Sequence, residues 1–361
     1  MITTINNKHK KLNVPNLRFP EFQGEWEKYR IEDITENISS GRCKSYSSNG
    51  KYNLYGSTGI IGKTDEACYE GNLVLVARVG ANAGSLQIIN EPCGITDNTL
   101  IIKPKKVDAQ YIYYFLQHLN LNRLVFGSGQ PLITGGMLKK VKVSLGNIQE
   151  QNKLTRLLSL LDERIATQNK IIEDLKKLKC AIAERLFKVT IGDVVALSDV
   201  CNIQKGKQVN GDCLSETGAY YVMNGGTEPS GYYEQYNAPA DTISISEGGN
   251  SCGYVQYNRE AFWSGGHCYT LTDILPNVCN LYLYHYLKSK ECAIMKLRIG
   301  TGLPNIQKKD LEKFAVLLPP IAKQVRISAF LTAIECKTTN EEILLSHFQE
   351  EKQYLLRQMF I

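Results

Sequence analysis

Two long stretches of the chain carry apolar residues at alternating spacings of four and three. The first runs from Leu154 to Leu186 and the second from Ile327 to Met359, each with a few polar interruptions. This spacing is typical of a coiled-coil seam. Neither 148–189 nor 321–361 contains proline or glycine, so each stretch predicts one helix of about 40 residues, roughly 60 Å long. The seam positions that we expect to matter for stability are Leu158, Leu161, Ile172, Leu175, Leu331 and Leu345.

A helix of this length needs a partner for its apolar seam, and the two stretches are each other's obvious candidates. A globular segment separates them along the chain, so antiparallel pairing is the simplest arrangement. It predicts two globular segments at opposite ends of a rod, related by a pseudo-twofold axis. The alternative is that both are core helices of ordinary domains, but such helices average only about 11 to 12 residues.

The rest of the chain predicts mixed α and β structure. Stretches rich in β-branched residues at 73–79, 99–103 and 242–246 alternate with Gly, Asn and Ser turns and predict strands. Two short aromatic segments, 109–119 and 280–287, predict helices. Their tyrosines are spaced by three or four residues, which favours packing in a core. These tyrosines are Tyr111, Tyr114, Tyr282 and Tyr286.

The chain is an internal duplication. Five sequence blocks recur in one order, with an offset that rises only from 165 to 173. The block NLVLVARVGANAG (72–84) matches DTISISEGGNSCG (241–253), and RLVFGSGQPLI (123–133) matches KLRIGTGLPNI (296–306). The helical stretches repeat with the same offset of 173. The duplication predicts globular domains at 1–146 and 190–320, each followed by a long helix at 147–189 or 321–361.

Composition excludes several classes of protein. Hydrophobic residues make up 43% and charged residues 22%, which is ordinary for a globular chain and unlike a disordered one. No apolar run approaches the roughly 18 residues of a membrane span, and the polar N-terminus lacks the apolar core of a signal peptide. We therefore expect a cytoplasmic protein without membrane contact. The 11 cysteines include no CxxC pair, which favours reduced thiols over a metal site.

No catalytic constellation is recognisable. The five histidines are scattered, no carboxylate cluster suited to Mg²⁺ stands out, and no motif for binding adenosylmethionine occurs. The expectation is a chain with no catalytic residues, no metal and no cofactor of its own. A nuclease or methyltransferase acting alone is therefore disfavoured.

Charge is distributed unevenly. Residues 1–145 carry 18 Lys and Arg against 12 Asp and Glu, whereas residues 191–361 carry 15 against 18. The first part can attract phosphate, and the second cannot do so by bulk charge. Two similar domains held at a fixed separation suit two sites on double-stranded DNA. Because the loops of the two copies have diverged, the two half-sites should differ, so the target should be split and asymmetric.

The order of these parts resembles the specificity (S) subunit of type I restriction-modification systems. The segments that carry the resemblance are PNLRFPEFQGEWEKYRIEDI (15–34), YGSTGIIG (55–62), LVARVGANAG (75–84), GSGQPLI (127–133), GTGLPNI (300–306) and LRQMFI (356–361). The resemblance implies an α+β fold with two target recognition domains separated by two long helices that form an antiparallel coiled coil. It also implies a chain that binds DNA and docks two methyltransferase (M) subunits and restriction/translocase (R) subunits. Those partners would use S-adenosylmethionine, ATP and Mg.

Candidate DNA contacts follow from residue chemistry and repeat position. We expect phosphate contacts from Arg42, Lys44 and Lys63. Near base edges in the first domain we expect Arg78, Asn82, Ser57, Thr58, Ser128 and Gln130. The corresponding set in the second domain is Lys205, Lys207, Asn224, Thr227, Asn250, Thr301 and Asn305. Glycine-rich members of these blocks can equally serve turn geometry alone.

Arg78 aligns with Glu247, so a base in one copy becomes an acid in the other. Glu247 can accept a hydrogen bond from cytosine N4 or can merely shape its loop. A different class of function also fits the architecture, namely a coiled-coil scaffold whose end domains bind protein. Such a scaffold would show no dependence on DNA.

Overall fold

The computed structural model describes residues 12–44, 46–124, 131–300, 302 and 304–361. The chain divides into two compact units. Unit 1 comprises residues up to 169 together with 344–361, and unit 2 comprises 170–343. Each unit combines mostly antiparallel sheets with helices, which confirms the predicted α+β class.

Unit 1 contains nine strands and three short helices within its described residues. The strands are β1 (Glu27–Arg30), β2 (Thr35–Ser40), β3 (Tyr52–Gly56), β4 (Gly59–Thr64), β5 (Asn72–Ala77), β6 (Leu86–Asn90), β7 (Cys93–Ile95), β8 (Thr99–Pro104) and β9 (Lys142–Leu145). The helices are α1 (Ile31–Ile34), α2 (Ala109–Leu119) and α3 (Gly135–Lys139), with a 3₁₀ turn at Leu121–Leu124. The long helix α4 spans Ile148–Val189.

Unit 2 repeats this order. Its strands are β10 (Asp193–Ala196), β11 (Asn202–Lys205), β12 (Tyr220–Met223), β13 (Tyr232–Tyr233), β14 (Thr242–Ser246), β15 (Val255–Asn258), β16 (Trp263–Ser264), β17 (Cys268–Thr272) and β18 (Ala315–Leu318). Its helices are α5 (Asn280–Ser289), α6 (Glu291–Met295) and α7 (Lys308–Glu312), with 3₁₀ turns at Leu197–Asp199 and Gly211–Cys213. The second long helix, α8, spans Ile321–Met359 and follows two prolines.

The sheets of the two units have matching strand orders. In unit 1 the orders are β2-β8-β5-β6, β4-β3-β7 and β1-β9. In unit 2 they are β11-β17-β14-β15, β13-β12-β16 and β10-β18, so each strand occupies the place of its repeat counterpart. The β3–β7 and β12–β16 pairs are parallel, and the other strand pairs in these sheets are antiparallel. The predicted duplication is therefore confirmed at the level of topology.

The central strand β5 is apolar on both faces because it lies between two cores. Val74 and Val76 point into the larger core beside α2, whereas Leu73 and Leu75 point into a smaller core beside β7. Successive side chains of a strand face opposite sides of the sheet, so a continuous apolar run is what a doubly covered strand requires.

The aromatic helices form the other wall of each core, as predicted. Tyr111 and Tyr282 are fully buried, and each donates its hydroxyl proton to a main-chain oxygen, of Ser144 at 2.9 Å and of Leu317 at 2.8 Å respectively. A phenylalanine from a long helix or its end packs on each tyrosine, with ring centroids 5.3 Å apart for Tyr111–Phe360 and 5.7 Å apart for Phe187–Tyr282.

Segments of the long helices pair in antiparallel fashion within each unit. In unit 1, Asp162 contacts Lys352 and the Arg164 guanidinium lies 5.8 Å from the Phe348 ring centroid, so rising numbers in α4 meet falling numbers in α8. In unit 2, Lys176 contacts Glu342 and Lys179 contacts Glu335 in the same sense. The structure buries the seam residues Leu158, Leu161, Ile172 and Leu331, and it leaves Leu175 and Leu345 half-buried.

Each unit places one partly buried ion pair between the long helices. The Lys352 ammonium donates to Asp162 at 2.6 Å in unit 1, and the Lys179 ammonium donates to Glu335 at 2.7 Å in unit 2. A tyrosine from the aromatic helix adds a second donor to each carboxylate: Tyr114 donates to Asp162 at 2.9 Å and Tyr284 donates to Glu335 at 3.0 Å. Asp162 and Glu335 are separated by the repeat offset of 173, as are Lys179 and Lys352, so the pairs are equivalent.

Candidate nucleic-acid interface

Several loops of unit 1 meet at one end of its four-stranded sheet. Strands β2 and β5 end there, and β8 begins there, because Ala77 pairs with Thr99 and Ser40 pairs with Leu100. We define loop cluster 1 as residues 41–44, 56–59, 78–84, 96–98 and 131–133. This cluster contains six of the candidate DNA contacts of the first domain: Arg42, Lys44, Ser57, Thr58, Arg78 and Asn82. Lys63 is described but lies outside it.

Main-chain hydrogen bonds hold loop cluster 1 together. The Asn98 carbonyl accepts from the Arg78 amide at 2.9 Å and from the Ser57 hydroxyl at 3.0 Å. The Arg78 carbonyl accepts from the Ile133 amide at 2.9 Å, and the Gly80 amide donates to Pro131 at 3.1 Å. These bonds join segments that are remote along the chain, so the side chains that they carry occupy defined positions.

Unit 2 builds the equivalent loop cluster 2 from residues 206–207, 224–230, 247–253, 265–267 and 304–306. The Glu247 amide donates to the His267 carbonyl at 2.9 Å, the Ile306 amide donates to the Glu247 carbonyl at 2.8 Å, and the Gly249 amide donates to Pro304 at 3.0 Å. Gly80 and Gly249 have φ angles of 79° and 80°, in the region that favours glycine. The two clusters therefore share one backbone scaffold.

The side chains on this scaffold differ between the units. Arg78 is half-buried, with Nη1 3.4 Å from the Ser40 hydroxyl, and its buried Nε has no hydrogen-bond acceptor among the described residues. Ser40 and Arg78 correspond by repeat position to Lys205 and Glu247. The hydrogen bond to Ser40 is therefore the one described polar contact of the Arg78 side chain.

Glu247 is engaged within its own unit. Its buried carboxylate accepts from the Lys205 ammonium at 2.6 Å and from the Tyr269 hydroxyl at 3.1 Å, and His267 Nδ1 lies 3.9 Å from the other carboxylate oxygen. Burial, together with the Glu247 carboxylate, raises the pKa of Tyr269. This geometry favours the interpretation that Glu247 shapes its loop over the interpretation that it reads cytosine.

The other predicted contacts of unit 1 are mostly exposed. Arg42, Lys44, Thr58 and Asn82 are exposed, and Ser57 is half-buried. Ser128 and Gln130 lie outside the described residues.

Lys63 stands apart from loop cluster 1, on β4, and belongs to a surface network. Its ammonium donates to the Asn53 side chain at 2.8 Å, and Asn53 and Tyr55 both donate to Glu91. Burial and the hydrogen bond to Glu91 raise the pKa of Tyr55 to about 12, and the donors Asn53 and Tyr55 lower the pKa of Glu91. Lys63 is thus held on the strand rather than among the converging loops.

In unit 2, Lys207, Thr227 and Asn250 are exposed in loop cluster 2. Asn224 is half-buried, and its side-chain oxygen accepts from the His267 amide at 3.2 Å. The Asn305 side-chain oxygen accepts from Gln307 at 3.0 Å. Thr301 lies outside the described residues. The Asn224 side chain therefore joins two segments of loop cluster 2, whereas the Asn305 bond is local.

Sequence reasoning missed Asn98 and His267. Asn98 lies just before β8 and His267 just before β17, and their carbonyls anchor the Arg78 and Glu247 loops respectively. Their separation equals the repeat offset of 169, so a repeat comparison extended through this turn would have paired them.

Two further observations concern the described residues. No group of three or more His, Cys, Asp or Glu side chains among them is placed to hold a metal ion. In the same part of the chain, no helix is both long enough and apolar enough to cross a bilayer.

A scaffold built once in each unit, with divergent side chains on it, defines an internally duplicated two-domain protein. A model of the type I restriction modification DNA specificity domain matches residues 23–177 and again 192–345. The chain therefore belongs to this family, as its resemblance in sequence predicted.

Relatives from several organisms agree with this assignment. A putative type I specificity subunit of Mycoplasma genitalium is 25% identical over 260 residues, covering 66% of this chain and 68% of the relative. One of Haemophilus influenzae is 22% identical over 353 residues, covering 90% and 91%. A type I restriction enzyme specificity subunit of Methanocaldococcus jannaschii is 30% identical over 226 residues, covering 53% and 52%.

Solved structures share the fold. The crystal structure of a type I restriction-modification S subunit from M. genitalium superposes with a TM-score of 0.72 at 20% identity, covering 96% of this chain and 99% of that one. A structure from a study of assembly and conformational transition in a type I system gives a TM-score of 0.56 at 16% identity, covering 92% and 96%.

Proposed function

We propose that this chain is the DNA-recognition subunit of a type I restriction-modification complex and reads a split, asymmetric target, one half-site per domain. The observation that supports this function is the pair of loop clusters. Their main-chain hydrogen bonds recur at equivalent positions, while the side chains that they carry differ. A constant scaffold with variable side chains suits a protein that reads two different base sequences in one manner.

The chemistry of the two clusters differs accordingly. In cluster 1, the half-buried Arg78 carries a guanidinium, the group suited to the two acceptors of guanine, and Arg42 and Lys44 are exposed for phosphate contacts. In cluster 2, Glu247 and Lys205 form an ion pair with each other. Thr227, Asn250 and other neutral groups are then left for base contacts. Much of the phosphate affinity would come from the partner subunits. The chain alone should bind DNA weakly and lose that binding steeply with salt.

The partners of the proposed complex are two methyltransferase subunits and nuclease/translocase subunits, which would supply catalysis with S-adenosylmethionine, ATP and Mg. This chain would contribute no catalytic group. Exposed apolar residues that recur at the repeat offset of 173 on the long helices support docking of two copies of one partner. Ile148 and Ile321 are one such pair, 55% and 44% exposed, and Ile171 and Leu344 are another, each 39% exposed.

The test is to co-express the chain with its neighbouring methyltransferase subunit in a methylation-free host and to map modified adenines across the genome. We expect a split, asymmetric motif that vanishes when this chain is omitted. A motif that persists without the chain would place recognition elsewhere. An assembled complex without any motif would refute the proposal and favour a scaffold.

A further inference from the structure

The hairpin formed by β3 and β4 has an irregular pairing near its tip. Leu54 pairs with Gly62, but the next residue of β3, Tyr55, pairs with Ile60. Ile61 is therefore an extra residue on β4, which makes a β-bulge. A bulge breaks the alternation of side chains across a strand and redirects them.

The bulge leaves two successive isoleucines in solvent. Ile60 is 56% exposed and Ile61 is 52% exposed. In a regular strand one of two neighbours would face the body of the protein. A Cβ atom at Gly56 would lie 2.8 Å from Ile61 Cγ2, so the glycine leaves room for this side chain to lie across the hairpin. We call Ile60 and Ile61 the apolar tip.

The apolar tip is continuous with loop cluster 1. The Gln87 side-chain amide donates to the carbonyls of Gly56 and Ser57 at 3.0 and 3.2 Å and holds the turn of the hairpin. The Ser57 hydroxyl donates to the same Asn98 carbonyl that accepts from the Arg78 amide. The turn that precedes the tip is therefore anchored to the same carbonyl as the Arg78 loop.

Unit 2 has no isoleucine at the aligned positions. Gly59, Ile60 and Ile61 align with the segment 228–230, whose residues Glu228, Pro229 and Ser230 are exposed. Two copies of one methyltransferase subunit would require the same docking surface in both repeats. A feature confined to one repeat suits instead a ligand that differs between the repeats, and the two half-sites of the DNA are such ligands.

We propose that Ile60 and Ile61 contact the C5-methyl group of a thymine in the half-site read by the first domain. The thymine methyl is the apolar group that a base pair presents in the major groove, and exposed aliphatic side chains are its natural partners. The exposed Arg42 and Lys44 of the neighbouring loop supply charge complementary to the phosphates. This inference rests on the proposed function and adds a specificity-determining contact to it.

The test uses the full chain in complex with its methyltransferase subunits and duplexes carrying the mapped target. Each thymine of both half-sites is replaced in turn by deoxyuridine, which lacks only the methyl group, and the dissociation constant is measured. At one or two positions of a single half-site, the substitution should weaken binding by about fourfold for each methyl lost. In the I60N/I61N variant, thymine and deoxyuridine duplexes should bind equally at those positions.

A matched control is I88N, which removes another exposed isoleucine of unit 1, on β6, and should retain the thymine preference. The inference is overturned if the wild-type complex shows no thymine preference, if the tip variant keeps it, or if the half-site contains no A·T pair. It is also overturned if the tip variant fails to assemble with the methyltransferase, because the tip would then contact protein. A wild-type complex without any target motif would instead refute the proposed function itself.

Discussion

The ion pair between Asp162 and Lys352 provides a quantitative test of how the long helices are held in register. Its side chains are only 33% and 12% exposed, and its N–O distance is 2.6 Å. Replacing Lys352 by Met leaves the carboxylate partly buried with the Tyr114 hydroxyl as its remaining described donor. Replacing Asp162 by Asn leaves the ammonium partly buried without its opposite charge.

The expected energy follows from this partial burial. Exposed ion pairs contribute about 0 to 1 kcal/mol, and breaking a fully buried pair costs about 3 to 5 kcal/mol. With two charges mostly withdrawn from water, we expect each single variant to destabilise unit 1 by about 2 kcal/mol. The double-mutant cycle should give a coupling energy of about 1.5 kcal/mol.

A second interhelical pair supplies the matched control. Lys176 and Glu342 are also 2.6 Å apart, but their side chains are 60% and 44% exposed. The same cycle there should give about 0.3 kcal/mol. Urea unfolding would be monitored by the hydrogen exchange of peptides from the two helices. This readout assigns each coupling energy to its own unit.

Equal coupling energies at the two pairs would refute this reasoning, because exposure is the feature that separates them. A coupling below about 0.3 kcal/mol at Asp162–Lys352 would show that solvent screens this pair fully. Loss of most of the coupling at high salt would have the same meaning.

Three further predictions concern other parts of the chain. Changing Glu247 to Gln should destabilise unit 2 by about 1 to 2 kcal/mol in urea unfolding, because Lys205 loses its charged partner; an unchanged midpoint would contradict this. His285 is buried, and desolvation together with the Lys179 charge lowers its pKa from 6.5 to about 4. Between these pH values the unfolded chain binds a proton at this histidine and the folded unit does not. Stability should therefore fall by up to roughly 3 kcal/mol as the pH drops through this window, and H285N should lose that part of the pH dependence in urea titrations. Inserting four residues at matching places in α4 and α8 adds about 6 Å to each helix and should change the target's spacer by about two base pairs, with both half-sites kept; an unchanged spacer in the methylation map would refute a ruler role for the helices.

The long helices could be predicted from the local spacing of apolar residues, and the duplication from comparison of the sequence with itself. A four-three spacing without proline or glycine specifies a continuous helix whatever surrounds it, and the observed bounds, Ile148–Val189 and Ile321–Met359, lie within two residues of the expected 148–189 and 321–361. The strand β5 was equally predictable, since burial on both faces demands an unbroken apolar run. In β14 all five residues are buried, but isoleucine alternates there with threonine and serine.

The candidate site was predictable only in part. Repeat comparison brought Arg78 and Glu247 to one position, and each directly follows a central strand, β5 or β14. Residue chemistry suggested Lys63 as a phosphate contact, and the structure places its ammonium 2.8 Å from the Asn53 side chain on β3. Asn98 and His267 were not predicted. They anchor the loops through main-chain carbonyls, which every residue has, so residue type gives no signal for this role.

The sequence alone therefore determined the α+β class, the two repeated domains and the two long helices, because periodicity and self-similarity survive without knowledge of neighbours. Tertiary structure decided what each functional side chain can do. Glu247 is closed off by Lys205, which lies 42 residues away along the chain. Ile60 and Ile61 are exposed because of one bulge in strand pairing. Burial, charge pairing and register arise between segments that are distant in sequence, so they become visible only when those segments meet.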